Sequence, residues 1–202
     1  MLVILLRAAH GGWNRLVSFF RLLVPRAFGL RTGKGLRVGS GIEWPLGNLR
    51  NIKLGDHVSL GKWGWFYIPL DNRCARIEVG DRTAIGSQFV VSCNQSVRVG
   101  CDCLIGYRVS LLDFAHVVGW EIKPVVSGTT EGEPIVIGNA CFLGCNCVIM
   151  SGVSLGDYCI VGANSVVTKS FPPGSVVAGT PARLLRTFRQ TPESQSQPDE
   201  QH

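Results

Sequence analysis

Aliphatic residues recur at every sixth position through the last third of the chain. The series runs without a slip through Ile137, Leu143, Ile149, Leu155, Val161 and Val167, and four of its six members are followed directly by glycine. An amphipathic helix would need apolar spacings of three and four, and a hairpin ladder would alternate with a period of two. A period of six instead predicts short strands, with glycine permitting the bend between them, that wind into a parallel β-helix.

The same aliphatic-glycine pairs occur upstream in pieces. They stand at Val38-Gly39, Leu54-Gly55, Leu60-Gly61, Val79-Gly80, Ile85-Gly86, Val99-Gly100 and Ile105-Gly106. The pattern ends after Leu111 and resumes at Ile137, which leaves residues 112–136 as one long excursion. Long loops on a regular scaffold are often functional, so we expect the chemistry to lie there.

The segment from Ile135 to Arg186 closely resembles the end of the hexapeptide-repeat acyltransferases, among them the maltose, galactoside and surface-polysaccharide O-acetyltransferases. Its most specific part is the run VVAGTPA followed by Arg183, and a fair resemblance extends from Val79 to His116. The family implies an all-β fold, a left-handed parallel β-helix with three hexads per coil, here over residues 38–186. It also implies a homotrimer whose active sites lie between neighbouring helices.

The excursion opens with Asp113-Phe114-Ala115-His116, which resembles the Asp-x-x-His segment that begins the catalytic loop of polysaccharide acetyltransferases. His116 is the only histidine between His57 and His202. An imidazole suits a general base, because its pKa is close to neutral pH. The resemblance therefore implies direct transfer of an acetyl group from acetyl-CoA to a hydroxyl of a sugar or surface-polysaccharide precursor, with His116 as the base.

A general-base histidine normally has its second ring nitrogen held by a carboxylate or a carbonyl. Four acidic residues of the excursion are available for this, namely Asp113, Glu121, Glu131 and Glu133. Glu131 lies one place from the loop carboxylate of the family when Pro134 is matched. Asp113 and Glu131 are therefore assigned to the catalytic group with His116, and the ranking of the four carboxylates stays open.

Six residues match cofactor contacts of the family. Cys145 and Ala163 are 18 positions apart, hence adjacent on neighbouring coils, and match the positions that meet the pantetheine arm. The other four match contacts towards the nucleotide: Thr168, Lys169, Arg183 and Arg186. On the acceptor side Asn94 matches a substrate-binding position. Gly86 or Gln88 replaces the acceptor-binding asparagine of maltose-type enzymes, so we expect a different acceptor.

The chain has eight cysteines, none in a paired zinc-finger pattern, and no metal is expected. Cys103, Cys141 and Cys159 hold the same position in their repeats. We expect them to form an inward column of reduced thiols that pack as small hydrophobic groups in a cytoplasmic protein.

The formal charge of +6 is concentrated near the N-terminus. Seven basic residues precede Glu43, the first acidic residue, and they are Arg7, Arg15, Arg21, Arg26, Arg31, Lys34 and Arg37. Arg7 and Gly11-Gly12 interrupt the apolar run too early for a spanning helix or a secretory signal. Residues 1–37 are predicted to be a basic amphipathic segment that contains a short helix. It either caps the core or makes a peripheral contact with anionic lipid at the inner face of the membrane. Residues 187–202 are predicted to be a disordered tail, and no nucleic-acid partner is expected.

The hexapeptide repeat also serves other classes of protein. A γ-class carbonic anhydrase needs three histidines around zinc, and the core offers only His116 and the distant His57. Serine acetyltransferases and sugar-nucleotide uridylyltransferases carry a further domain that the first 37 residues do not provide. Two alternatives stay open: a xenobiotic O-acetyltransferase acting on an antibiotic hydroxyl, and a non-catalytic scaffold that would tolerate loss of His116.

Overall fold

Short strands dominate the computed structural model of the chain, which describes residue 18, residues 20–116 and residues 130–188. A helix, α1, covers residues 20–27, and a 3-10 helix covers Leu46–Asn51. The strands, in chain order, are β1 Arg31–Thr32, β2 Arg37–Val38, β3 Ile52–Leu54, β4 Ser59–Leu60, β5 Trp65–Tyr67, β6 Arg76–Val79, β7 Ala84–Ile85, β8 Val90–Ser92, β9 Ser96–Val99, β10 Leu104–Ile105, β11 Ser110–Leu112, β12 Phe114–His116, β13 Thr130–Gly132, β14 Ile135–Ile137, β15 Phe142–Leu143, β16 Val148–Ile149, β17 Ser154–Leu155, β18 Ile160–Val161, β19 Val166–Val167, β20 Ser175–Gly179 and β21 Ala182–Thr187.

These strands form the left-handed parallel β-helix that the sequence predicts. Sheet A contains β1, β3, β6, β9, β14 and β17, sheet B contains β2, β4, β7, β10, β15, β18 and β20, and sheet C contains β5, β8, β11, β16 and β19. Each coil passes through sheets A, B and C in turn, and strands of successive coils pair in parallel. The last strand, β21, turns back and pairs antiparallel with β20.

The predicted aliphatic series forms the core. All six residues from Ile137 to Val167 are at most 1% exposed, and the upstream aliphatic residues of the aliphatic-glycine pairs are buried with them. The six-residue period is therefore the distance from one inward position to the equivalent position on the next sheet. This part of the prediction is confirmed.

The glycine after each aliphatic residue has a different role from the one we expected. A Cβ on Gly144 would lie 2.6 Å from the backbone nitrogen of Ala163 in the next coil, so the site has no room for a side chain. The left-handed backbone that makes the bend falls two residues later, on Asn146 (φ 61°) and Asn164 (φ 59°). Glycine here permits close stacking of the coils, and the bend itself is carried by residues with side chains.

The three corners of the β-helix differ in regularity. The A–B corner and the B–C corner are four-residue turns, such as residues 138–141 and 144–147. Only the step from Leu143 to Val161 equals 18 residues in the series of paired positions of sheet B, which are Val38, Leu60, Ile85, Ile105, Leu143, Val161 and Val177. In coils longer than 18 residues, the additional residues all lie at the C–A corner, in segments 44–51, 68–75, 93–95 and 113–134.

The N-terminal helix covers the first coil. Leu22 of α1 is buried in the core, and the backbone N–H of Val38 donates to Ser18 Oγ at 3.0 Å. The first coil begins with β1 at Arg31, inside the segment that we assigned to residues 1–37. The repeat pattern did not reveal this coil, because Thr32 stands at the position that an aliphatic residue occupies in later coils. Residues 1–17, 19 and 189–202 lie outside the described residues, as do the predictions for them. Over the described part of the chain, no helix has the length and apolar character needed to span a membrane.

Candidate active site

A cavity of about 890 Å³ lies at the C–A corner, where the additional segments of successive coils stack. Its wall combines sheet C strands, the loop 68–75 and strand β12. The lining residues are Trp65, Tyr67, Pro69, Asp71, Asn72, Arg73, Cys74, Ser92, Asn94, Phe114, Ala115 and His116. Two of the predicted site residues, Asn94 and His116, therefore share one cavity.

His116 is placed in the cavity by a short two-stranded ribbon. Strand β12 leaves the end of sheet C and pairs antiparallel with β13, so that His116 is opposite Thr130. His116 is exposed and lines the cavity rather than the core. Residues 117–129, including Glu121, lie outside the described residues.

Asp113 fastens the base of this ribbon to the neighbouring coil. Its carboxylate accepts the backbone N–H of Asn94 at 2.6 Å and that of Gln95 at 2.8 Å, and the residue is fully buried. Together with burial, which is the larger effect, the adjacent carboxylate raises the pKa of the Cys93 thiol. Asp113 thus holds the segment before His116 and the segment containing Asn94 in one arrangement.

Glu131 is not brought to the ring of His116 within the chain. The pairing of β12 with β13 puts Glu131 opposite Ala115, and side chains alternate between the two faces of such a ribbon. Glu131 and Glu133 line a second, more polar cavity with Gln95 and Ser151. The sequence spacing that suggested Glu131 could not reveal this pairing, because it depends on the register of a ribbon inside the excursion.

Asn94 is held by an amide network at the cavity wall. The side-chain amide of Asn72 donates to the carbonyl of Asn94 at 2.6 Å and to Asn94 Oδ1 at 2.8 Å. Asn72 Oδ1 in turn accepts the backbone N–H groups of Cys74 and Ala75. Loop 68–75 is therefore fixed against the next coil, and the acceptor-side prediction for Asn94 gains a partner, Asn72, that the sequence analysis missed.

Three aromatic rings form a further wall that the sequence analysis did not include. The centroids of Trp65 and Tyr67 are 5.4 Å apart, and those of Tyr67 and Phe114 are 6.3 Å apart. The spacing of Trp65 and Tyr67 was a usable signal, because every second residue of a strand faces the same side. Such rings offer an apolar surface beside the polar asparagines.

The predicted cofactor residues divide between two corners. Cys145 and Ala163 are exposed on successive turns of the B–C corner, where the N–H of Asn164 donates to the carbonyl of Cys145 at 2.9 Å. Thr168 and Lys169 are exposed at the C–A corner, two coils beyond Leu112 towards the C-terminus. The Lys169 ammonium lies 5.6 Å from the centroid of the Phe171 ring.

The two predicted phosphate-binding arginines lie on β21. Arg183 pairs with Ala178 and Arg186 with Val176 across the β20–β21 ladder, and both side chains are exposed. The Arg186 guanidinium lies 5.0 Å from the ring of Phe188. Both arginines are thus at the C-terminal end of the β-helix, on the same end as Ala163 and Lys169.

The cysteine column is present as predicted. Cys103, Cys141 and Cys159 are buried free thiols in successive coils, and Cys141 Sγ donates to the carbonyl of Gly156 at 3.2 Å. Contact with its two neighbouring thiols, together with burial, raises the pKa of Cys141. Within the described ranges no group of three or more His, Cys, Asp or Glu side chains is arranged to hold a metal ion.

Comparison with known proteins agrees with this architecture. Residues 134–169 match the family described as bacterial transferase hexapeptide (six repeats). Galactoside O-acetyltransferase of Escherichia coli K12 is 36% identical over 135 residues, or 64% of this chain and 63% of that protein. The putative lipopolysaccharide biosynthesis O-acetyl transferase WbbJ of the same organism is 31% identical, over 54% of this chain and 59% of that protein. The chain therefore spans about three fifths of these curated relatives.

Two solved structures share the fold. A hexapeptide-repeat acetyltransferase of Vibrio cholerae, solved with acetyl-CoA, has a TM-score of 0.57 at 25% identity, over 82% of this chain and 75% of that chain. The N-acyltransferase AntD of Bacillus cereus, solved with dTDP and 3-hydroxybutyryl-CoA, has a TM-score of 0.68 at 15% identity, over 82% and 87%. Residues 134–169 thus carry the hexapeptide repeat of this family, and the described chain has the left-handed β-helix fold. The chain is similar to O-acetyltransferases that are named for galactosides and for lipopolysaccharide biosynthesis.

Proposed function

We propose that the protein is an acetyl-CoA-dependent O-acetyltransferase that acts on a hydroxyl group of a sugar or surface-polysaccharide precursor. The observation that carries this proposal is the position of His116. Among the described residues it is the only histidine that lines the large cavity at the C–A corner, and it is exposed there. The similarity to galactoside O-acetyltransferase and to WbbJ supports the reaction class.

In the proposed reaction His116 acts as general base. A ring nitrogen takes the proton of the acceptor hydroxyl while the oxygen attacks the thioester carbonyl of acetyl-CoA. The tetrahedral intermediate then collapses, the carbon-sulfur bond breaks, and the imidazolium returns the proton to the departing thiolate. The products are the acetyl ester and CoA. Asp113 has a positioning role in this scheme, because its carboxylate is already bonded to two backbone amides.

The proposed cofactor site uses the small residues of the B–C corner. Cys145 and Ala163 leave room for the pantetheine arm on consecutive turns, and Tyr107 occupies the equivalent position one coil before Cys145. Thr168 and Lys169 would contact the cofactor at the C–A corner. Arg183 and Arg186 would bind its phosphates, for which the guanidinium geometry is suited.

We propose a homotrimer because the candidate base and the residues proposed to contact the pantetheine arm lie at different corners of the β-helix. His116 is at the corner that follows sheet C, whereas Cys145 and Ala163 are at the corner that precedes it. Roughly six residues separate the two corners, which corresponds to at most about 20 Å. If the C–A corner of one subunit faces the B–C corner of its neighbour, both groups meet in one site. The free thiols of all eight cysteines agree with the cytoplasmic location that acetyl-CoA requires.

The acceptor is proposed to bind between the aromatic wall and the asparagines. The rings of Trp65 and Tyr67 would contact the apolar face of a pyranose, and Asn94 would lie beside its hydroxyls. Arg73 and Asp71 at the same wall add one charge of each sign. A sugar has both apolar and hydroxyl surfaces, so this mixed lining suits it.

The test of the proposal is the substitution His116→Ala. General-base catalysis contributes about 100- to 10,000-fold, so kcat should fall by roughly that factor with little change in acetyl-CoA affinity. His57→Asn is the matched control, since His57 is exposed on an A–B turn at φ 57° and asparagine tolerates that conformation. Near-normal turnover of folded His116→Ala would show that the base lies elsewhere.

Substitutions in the cofactor site should have the opposite kinetic signature. Lys169→Gln or Arg186→Gln should raise the KM for acetyl-CoA more than it lowers kcat, because each removes a contact made in both the ground state and the transition state. Thiol release is the readout for both groups of variants.

The same assay separates the alternatives when it is run with a panel of sugar, lipid-linked glycan and antibiotic acceptors. Thiol release with a glycan supports the proposal, and release with only an antibiotic hydroxyl favours a xenobiotic acetyltransferase. A protein that binds no acetyl-CoA and acetylates none of these acceptors would be a scaffold.

A further inference from the structure

The helix α1 presents apolar side chains away from the body of the protein. Leu23, Val24 and Phe28 are 48%, 57% and 60% exposed, whereas Leu22 is 2% exposed and Pro25 is buried. Successive residues of a helix are turned by about 100°, which places Leu23 and Val24 on the side opposite Leu22 and Pro25. A helix that only capped the core would need one apolar side, and this helix has two.

Arginines flank the outward apolar side on both edges. By the same rotation Arg21 lies beyond Val24 and Arg26 beyond Leu23, on the boundaries between the outward side and the core side. The guanidinium of Arg21 donates one bond to the carbonyl of Val38 at 2.9 Å, and that of Arg26 donates to Thr32 Oγ1 at 2.9 Å. Both side chains are therefore held beside the helix, and both are exposed.

The first coil extends this positive surface. Arg31, Lys34 and Arg37 are all exposed, and the sequence has no acidic residue before Glu43. Only Lys34 has an acidic neighbour in the next coil, Asp56, at 3.8 Å. This end of the β-helix therefore combines exposed apolar groups with uncompensated positive charge.

We propose that this end of the protein, comprising the outward side of α1 and the cations of the first coil, docks on an anionic lipid surface. Leu23, Val24 and Phe28 would enter the acyl boundary, while the flanking arginines stay at the level of the phosphates. The proposal concerns a different part of the molecule from the catalytic cavity and does not depend on the acetyltransferase assignment.

Charge favours lipid over a second copy of the chain as the occupant. Two copies packed through this surface would bring the same cations together, and like charges in contact oppose association. An anionic membrane instead offers phosphates to every cation and an apolar interior to the three side chains. Each cation near such a surface strengthens binding by about fivefold, so several act together to produce substantial affinity.

The test is co-sedimentation of the full chain with vesicles of phosphatidylcholine, with or without about one third phosphatidylglycerol, at low and high salt. We expect binding to the anionic vesicles only, and weakening with salt because surface charges are screened. Leu23→Ser combined with Phe28→Ser should lower the partition coefficient at least about tenfold. Leu185→Ser is the matched control, since Leu185 is 66% exposed at the opposite end of the β-helix and should leave partitioning unchanged.

A second double variant leaves the exposed apolar side chains unchanged. Arg26→Gln combined with Arg31→Gln should weaken vesicle binding by about fivefold per charge, with an unaltered thermal transition. The proposal is overturned if the parent chain does not sediment with anionic vesicles, or binds neutral vesicles equally well. It is also overturned if the serine variant is folded and partitions like the parent, or if the serine variant has a lower oligomeric mass, which would assign the surface to a second copy.

Discussion

The tight B–C corner and the open C–A corner follow opposite rules. At the B–C corner every described coil keeps four residues, and the first is a glycine with no space for a Cβ between it and the next coil. At the C–A corner the segment between sheets varies from the short run 93–95 to the long excursion 113–134. Regular stacking therefore requires identical turns at only two corners, and the third is free to carry loops, a cavity and the candidate base.

A valine at a tight corner should have the largest effect on stability. A Cβ on Gly106 would lie 2.7 Å from the backbone nitrogen of Cys145. That backbone cannot move away, because the N–H groups of Gly144 and Asn146 on either side are bonded to the neighbouring coils. Gly106→Val should therefore lower the free energy of unfolding by about 3 kcal/mol, the upper end of the usual cost of overpacking. Urea denaturation measures it.

The neighbouring residue provides the control. Tyr107 is exposed and uses only its backbone in the turn, where its carbonyl accepts the N–H of Asn146 at 2.8 Å. Tyr107→Val should change stability by about 0.5 kcal/mol or less. Equal effects of the two valines would mean that coil contact does not explain the glycine.

The difference between the corners also decides what the sequence could reveal. The strict series from Ile137 to Val167 predicted the coils there, because no additional residue interrupts those coils before Val167. Upstream, each coil has a different length at the C–A corner, so the period was visible only in fragments and the first coil at Arg31 was missed. Thr32 in place of an aliphatic residue removed the remaining signal.

The candidate site was predictable to the extent that it depends on position along the chain. His116 and Asn94 were found from the repeat break and the family resemblance, and both line the cavity. The roles of the carboxylates were not predictable, because an acidic residue in a loop looks the same whether it is buried or solvated. Asp113 is buried against two amides, and the strand pairing turns Glu131 away from His116, which only the folded arrangement shows.

At the C–A corner, Asp113→Asn should have the next largest effect on stability. Asparagine keeps one acceptor oxygen, so one of the two bonds to Asn94 and Gln95 is lost, at a cost of about 2 kcal/mol for a bond to a charged group. Hydrogen exchange at those two amides should accelerate, and kcat should fall because His116 is less well positioned. Glu133→Gln, at an exposed carboxylate of the same corner, should change neither.

For Asp113→Asn, a fall in kcat without faster exchange at the two amides would contradict the positioning role. Faster exchange with unaltered kcat would show that the ribbon holds His116 without this carboxylate.

Thiol labelling should give a smaller difference that compares the corners directly. Cys74 at the cavity wall and Cys145 at the B–C corner are exposed, whereas Cys93, Cys103, Cys141, Cys147 and Cys159 are buried. In the native protein both exposed thiols should react with iodoacetamide and the five buried ones should not. Saturating CoA should slow alkylation of Cys145 at least about tenfold and leave Cys74 nearly unchanged, because a bound ligand occludes only its own site. Unslowed alkylation of Cys145 at saturating CoA, measured by mass spectrometry, would remove Cys145 from the cofactor site.

The central claim is that one active site combines the C–A corner of one subunit with the B–C corner of another. Ala163→Tyr should block the cofactor groove without disturbing the fold, because Tyr107 already occupies the equivalent turn position two coils earlier. His116→Ala removes the base, so each variant alone should be nearly inactive. When the two variants are co-expressed in equal amounts and mixed trimers are purified, about a third of the sites should combine an intact His116 with an intact Ala163 from different chains. Turnover should therefore return to about a third of the wild-type value. Mixed trimers as inactive as the separate variants would contradict a site shared between subunits.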